Sequence, residues 1–358
     1  MGAQKLKLEV ASGLLVWVLL LGVAPWALDP FRLNLMAKYL AFAFVAIGIV
    51  LTWGYGGILS LGQGIFFGLG GYMLAMCLKL EASAPELPDF MVWSSVEQLP
   101  LWWEPFRHFG WTLLGIAVLP AALAYLFSYA VFKKRVSGVY FAIVTLALAL
   151  TLTVLIVGQQ GDTGGANGIT DFRTLMQMPI VGDGPQRTLY CIEVLVLEAV
   201  MGIALFVARS RLGKVLVAIS NQEGRVRFSG YNTAHIKASV FALAAFFSAL
   251  GGAFYTLQVG MIAPSVLGVV ASVEMVIFAA VGGRMSVVGA VIGAVLVGFL
   301  RSYLSETFPE IWLYFLGALF LIAVLVLPNG LFGLLERCVL LLKRKRAASI
   351  PVQEDVRA

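Results

Sequence analysis

An all-α, polytopic membrane protein is the fold class this sequence predicts, and three observations predict it. Hydrophobic residues fill 60% of the 358 positions and charged residues 12%, against about 45–50% and about 25% in a soluble domain; the mean hydropathy is +0.93. Apolar stretches near or above the roughly 17-residue minimum for a bilayer crossing recur along the whole chain, which leaves no segment for a soluble catalytic domain. Finally, acidic and basic residues separate onto alternate connections, as membrane topology requires.

About ten spans follow from this pattern, near residues 12–28, 39–52, 57–79, 111–132, 139–158, 188–208, 238–258, 270–282, 287–304 and 312–328, the second and eighth being short for a full crossing. Lys5 and Lys7 precede the first apolar run, as in a signal peptide. That run ends in APWALDP without a small-residue cleavage site, so it reads as a retained span. The third is the most unusual. From Trp53 to Cys77 the chain is WGYGGILSLGQGIFFGLGGYMLAMC, with glycine at 54, 56, 57, 62, 64, 68, 70 and 71. Each glycine costs a helix about 1 kcal/mol relative to alanine. Such a span is either broken around Ser60 and Gln63, with its freed polar groups covered by protein or lining a path, or packed backbone to backbone through small residues.

Orientation follows from charge. Lys133, Lys134 and Arg135 share one connection; Arg209, Arg211, Lys214, Arg225 and Arg227 another; Arg284 a third; Lys343 to Arg346 the tail. Glu81, Glu86, Asp89, Glu97 and Glu104, then Asp162, Asp171 and Asp183, then Glu306 and Glu310, occupy the opposite side. Lysine and arginine accumulate on the cytoplasmic side, so both termini are expected there. Arg32 and Lys38 are exceptions on the outer side.

Three connections exceed a turn. Residues 80–110, with Pro85, Pro88, Pro100 and Pro105 among Phe90, Trp93, Trp102, Trp103, Phe106 and Phe109, read as an extracytoplasmic insert at headgroup level. Residues 159–187 include TGGANGIT, whose small and polar residues suit either turns or close approach of backbone to a ligand. The segment 209–237 reads as short helical pieces separated by Gly213, Gly224 and Gly230. Leu216, Val217, Ile219, Val226 and Phe228 make it too apolar for a solvated loop and favour a docking surface.

Catalytic signatures are missing: the chain has no HExxH, GxxxxGK[ST], GxSxG or CxxC. His108 and His235 read as surface residues, and Cys77, Cys191 and Cys338 are too scattered for a disulfide framework or a zinc site. No enzyme, metal, cofactor or nucleic-acid partner is implied. The clearest intramembrane charge is Glu274, which either serves function or reaches water from the outer end of a short span; Arg284 reads as an interfacial anchor. A second glycine-rich span at 282–300 contains Gly289-x-x-x-Gly293, a helix-contact spacing.

With these residues in hand, the chain resembles the permease subunits of ABC importers for branched-chain amino acids and their urea-importing relatives. The likeness covers nearly the whole length. It rests on GGILSLGQGIFFGLGGY at 56–72, SGVYFAIVTLAL at 137–148, TGGANGIT at 163–170, the segment 209–237, EMVIFAAVGGRMSVVGAVIGA at 274–294 and PNGLFGLLER at 328–337. LPDFM at 87–91 and GQQGDTGGANGITDF at 158–172 look most like the urea-type subunit, whereas Gln98 departs from that type at the first position of its ELP motif. The resemblance implies a transmembrane permease domain over 1–346 with a tail at 347–358, in the bacterial cytoplasmic membrane. It implies a heterodimer with a sister permease, two ATP-binding subunits that hold the ATP, and an extracytoplasmic substrate-binding protein. The family's coupling element maps onto Ala218 to Gly230, with Ala218, Asn221, Gln222, Glu223, Gly224 and Arg225 as candidate contacts; Ser220 and Asn221 stand where a basic and an acidic residue are common. Ser60, Gly62, Gln63, Gly64, Thr163, Gly164, Gly165, Asn167 and Glu274 are the candidate translocation-path residues. Urea is the implied solute and a branched-chain amino acid the alternative. A secondary transporter or channel is the rival of another class, which would need no ATPase partner.

Overall fold

A computed structural model of the chain describes residues 3–172, 174–180, 182–325 and 330–334. Cys338, the basic run from Lys343 to Arg346 and the tail 347–358 lie outside the described residues. The fold is all-α; its only strands, among the described residues, are two-residue ladders pairing Ile169–Thr170 with Met261–Ile262 and Thr174–Leu175 with Met178–Pro179.

Among the described residues, seven helices are long and apolar enough to cross a membrane: α2 (Pro30–Tyr55), α3 (Gln63–Ser83), α4 (Phe109–Lys133), α5 (Val139–Gly158), α6 (Asp183–Arg209), α8 (Thr233–Val259) and α10 (Val287–Thr307). Shorter helices are α1 (Ala3–Trp17), which continues through a π-wound turn at Val18–Val23 into Ala24–Ala27, then α7 (Arg211–Phe228), α9 (Val269–Gly282) and α11 (Trp312–Leu325). Each expected span falls on one of these, with two corrections; the last three residues of the tenth, 326–328, lie outside the described residues. The second is not short. Pro30, a favourable first helical residue, starts α2, and a π-wound turn carries it through Val50–Tyr55, for 26 residues. Arg32 and Lys38, read as belonging to a connection, are therefore residues of α2 itself. The third begins at Gln63 rather than 57, because residues 57–62 are not helical. The eighth is short as expected: α9 has 14 residues, about 21 Å at the α-helical rise, too little for a hydrocarbon core of about 30 Å.

From Tyr39 to Thr52 every residue of α2 is buried, and the helix is accordingly the central post of the bundle. Phe42 stacks on Phe67 of α3 with centroids 5.2 Å apart and meets Phe278 of α9 at 5.4 Å. Phe44, Ile47, Phe247 and Phe278 are all within 1% of complete burial. By contrast α4, α5 and α6 expose most of their apolar surface and form the outer layer.

The glycines of α3 divide between the two alternatives. Gly70 abuts the Ala249 backbone of α8, and Gly252 of α8 abuts the Phe67 carbonyl; a methyl at either position collides with main chain. Gly282 and Gly293 seat α9 on α10 in the same way. These positions are packing contacts, whereas Gly62 and Gly64 belong to the break.

At one end of the bundle the Arg284 carbonyl lies against Gly54, and Ser220 of α7 against Gly57. The basic connections gather at this end. The acidic insert, the TGGANG loop and the turn after α8 lie at the other.

Candidate functional site

The break before α3 sits deep in the bundle. Gln63, the first residue of α3, is fully buried, and its Oε1 accepts a hydrogen bond of 3.1 Å from Ser248 Oγ, near the middle of the 27-residue α8. Its Nε2 has no partner among the described residues. Helix α9 begins at the same level: the Gly64 amide donates to Ser272 Oγ at 3.2 Å, and the Val266 and Leu267 carbonyls border Gly64. Residues 260–268, returning from the end of α8, therefore dip into the bundle before α9 starts. Two helices meet here by their N-termini, the full-length α3 and the 14-residue α9, and run toward opposite ends of the bundle. The irregular backbone before α3 is covered by protein, the condition for breaking a helix inside a membrane: the Leu61 amide donates to Thr145 Oγ1 of α5 at 3.1 Å, and the Gly62 amide to Ser60 Oγ at 3.3 Å. Ser60, Gly62, Gln63 and Gly64 are thus brought together at one buried, uncharged junction, joined by Thr145, Ser248 and Ser272.

Thr163, Gly164, Gly165 and Asn167 lie elsewhere, in the loop at the end of the bundle that carries the acidic insert. The Thr163 hydroxyl closes the end of α5, with 2.7 Å to the carbonyls of both Ile156 and Gln159. Gly164 and Gly168 take φ of +77° and +74°, a left-handed backbone that favours glycine, and Gly168 packs on the Ile262 carbonyl. The 261–267 segment links the loop to the junction: it pairs with Ile169–Thr170 at its start and covers Gly64 at its end.

Glu274 does not reach water. It is 3% exposed, and its Oε2 accepts a 2.7 Å hydrogen bond from Arg301 Nη1 of α10, with the guanidinium 5.4 Å from the Trp312 ring centroid. Ser272 turns to α3 and Glu274 to α10, so the structure separates Glu274 from Gln63.

The segment after α6 differs from the expectation of short pieces. Ser210 breaks the chain with an extended ψ of 175° and caps α7, its hydroxyl accepting from the Gly213 amide at 3.4 Å. Helix α7 then runs unbroken past Gly213 to a kink at Gln222, where φ is −150° and ψ is 84°; Gly224 lies within it. Leu216 and Ile219 are buried, while Ala218, Asn221, Gln222, Gly224 and Arg225 are exposed and Phe228 is 95% exposed. Glu223 points inward: it bonds Lys237 Nζ at 3.0 Å, Arg227 at 2.9 Å and Thr233 at 3.0 Å, tying the end of α7 to the base of α8. Burial alone would raise the Glu223 carboxyl pKa, but Lys237, Thr233 and Arg227 together hold it below the usual carboxylate range.

A protein family described as "Branched-chain amino acid transport system / permease component" matches residues 31–324, from the start of α2 to α11. The chain belongs to this family. Among similar proteins, the high-affinity branched-chain amino acid transport system permease protein LivM of Escherichia coli (strain K12) is 24% identical over 342 residues, covering 88% of this chain and 74% of LivM. The ribose import permease protein RbsC of Haemophilus influenzae is 24% identical over 308 residues, with 84% of this chain and 85% of RbsC covered. LivH of E. coli is 21% identical over 308 residues, with 82% and 91% covered. No solved structure matches. The permease is a multi-pass protein of the bacterial cytoplasmic membrane.

Sequence reasoning missed several polar residues of this permease. Thr145, Ser248 and Ser272 read as ordinary members of apolar spans; their signal was a hydroxyl on a helix that also carries small residues. Lys79, Glu193 and Arg301 are ionisable groups inside predicted spans, the pattern that singled out Glu274. Glu193 is fully buried in α6 and accepts from Gln258 Nε2 at 3.2 Å.

Proposed function

We propose that this permease is the transmembrane subunit of an ATP-driven ABC importer and that urea is the solute it carries. The observation that carries the solute is the uncharged junction. Gln63, Ser60, Ser248 and Ser272 offer amide and hydroxyl groups at mid-depth, where helix N-termini converge, and urea exchanges hydrogen bonds with such groups without a counter-ion. The importer reading rests on family membership and on the resemblance: a sister permease, two ATP-binding subunits and an extracytoplasmic binding protein complete the machine, and ATP is hydrolysed by the partners. Both termini are cytoplasmic in this reading, and the exposed face of α7, with Ala218, Asn221, Gln222, Gly224 and Arg225, docks an ATP-binding subunit. Carriage then proceeds by alternating access, the junction opening to one side at a time.

Branched-chain amino acids are the second reading, favoured by the names of LivM and LivH. Uptake of labelled urea and labelled leucine into proteoliposomes holding the complete importer, with and without ATP, tests both. ATP-dependent urea uptake is expected. Leucine uptake alone transfers the permease to the amino-acid branch, and uptake without ATPase subunits makes it a secondary transporter or channel.

A further inference from the structure

A second polar site lies outside the junction. Between the outer end of α3, the short helix Asp89–Trp93 and the TGGANGIT loop is a cavity of about 160 Å³, lined by Lys79, Asp89, Phe90, Trp93, Asn167 and Thr170 among others. Lys79 is 7% exposed and bonds Asp89 Oδ2 at 3.0 Å. An ammonium carries three donors, and Asp89 is its one partner among the described residues. A buried cation with two donors left over is costly unless something else fills them. The walls are held in place: Trp103 Nε1 donates to the Asp162 carbonyl at 3.0 Å, Met91 is fully buried, and the loop is pinned by its pairing with Met261–Ile262.

We propose that this chamber receives the transported solute at the outer face, and that it takes a small molecule presenting an acceptor oxygen beside N–H donors. The oxygen sits on the Lys79 ammonium, the N–H groups on Asp89 and the Asn167 amide, and Phe90 and Trp93 flank the remainder. Thr170 lies on the strand paired with Met261, and the same segment runs on to the Val266 and Leu267 carbonyls at Gly64. Lys79 lies 15 residues along α3 from Gly64, about 22 Å at the helical rise, and the 261–267 segment spans that distance. The inference rests on the importer reading. Urea and an α-amino acid share the recognised chemistry, and the two are separated by experiment.

The test uses the complete importer in nanodiscs, first shown to transport. Equilibrium binding of labelled urea and of labelled leucine is measured without the binding protein, on the native complex and on Lys79→Met, Lys79→Arg and Asn167→Phe. Retention of one solute by the native complex is expected, with at least a tenfold loss in Lys79→Met and Asn167→Phe and partial recovery in Lys79→Arg; the solute retained identifies the source. Asn167→Phe fills the cavity and leaves the Lys79–Asp89 pair intact, so it answers the question even where Lys79→Met fails to assemble. Native binding and uptake that persist unchanged in Asn167→Phe overturn the chamber and leave the importer reading standing. A native complex that carries neither solute overturns both, and that result is read before any variant is made.

Discussion

Replacing Gly64 by alanine adds one methyl group at the junction, and the structure fixes what it meets. The new Cβ would stand 2.5 Å from Ser272 Oγ, 2.9 Å from the Val266 carbonyl oxygen and 3.0 Å from that of Leu267. Two of these three atoms are backbone, so relief requires α9 and the 260–268 segment to move away from α3. Overpacking of this kind costs about 1–3 kcal/mol. Parting Gly64 from Ser272 also strands a buried amide, for about 1–3 kcal/mol more, while alanine's helix propensity returns about 1 kcal/mol. The net is about 1–5 kcal/mol against the junction as it stands, roughly fivefold to several-thousand-fold in its population.

The assay is uptake in proteoliposomes alongside the thermal unfolding and subunit stoichiometry of the complex. Gly70→Ala is the control, because its methyl meets the Ala249 backbone in a pure helix–helix contact. Gly70→Ala is expected to weaken assembly. Gly64→Ala is expected to reduce uptake at least fivefold in an assembled complex. Native uptake by Gly64→Ala, or a loss of assembly equal to that of Gly70→Ala, refutes the reasoning and reduces Gly64 to a packing contact.

Glu223→Gln leaves Lys237, 3% exposed, without its counter-charge and is expected to destabilise the α7–α8 clasp by about 1–3 kcal/mol at neutral pH. Because the carboxyl is held below its usual range in the folded protein, its contribution is complete above the unfolded value and disappears as pH falls through the lowered folded value; thermal unfolding from neutral to acid pH should therefore show a slope that Glu223→Gln flattens. A Cβ at Gly224 meets nothing within 4 Å, so Gly224→Trp should leave the permease folded while a misfit of about 1–3 kcal/mol at the docked face lowers binding-protein-stimulated ATP hydrolysis and uptake together; unchanged stimulation places the ATPase elsewhere.

Periodicity and composition made the helices legible because an apolar run of crossing length has few alternatives. The boundaries failed where a charge lay inside a helix. Arg32 pairs with Asp29 at 4.0 Å in the first turn of α2, and hydropathy cannot tell such a turn from a connection. Glycine density located the broken element around Ser60 and Gln63, but the same density at Gly68 and Gly70 serves packing, and only the partner helix separates the two uses. The junction's other half was illegible for a different reason. Ser248 and Ser272 lie far along the chain from Gln63; the packing of α8 on α3 brings Ser248 to it, and the dip of residues 260–268 brings Ser272, a dip with no local signature beyond Pro264 and Gly268. Glu223 was legible as part of a coupling segment, while its inward bonds were not, since a charged residue in a basic loop reads as solvated.

The two polar sites place different demands on a solute, and this difference bears on which solute passes. The outer chamber is lined by one cation, Lys79, and two carboxylates, Asp89 and Asp171, so it accommodates both a zwitterion and a neutral amide. The junction supplies neither. Helix N-termini favour an acceptor oxygen or a carboxylate, and α3 and α9 both present theirs, but an ammonium group there would need an acid. The nearest acid along α9, Glu274, is already bonded to Arg301 on the far side of the helix. Moving a zwitterion through would strip its ammonium of partners in a medium where an unpaired charge is expensive. A neutral solute with one acceptor and several donors meets no such barrier. Along the proposed path, selection falls at the junction rather than at the mouth, and exchanging Ser272 for aspartate is the change expected to shift it toward an amino acid.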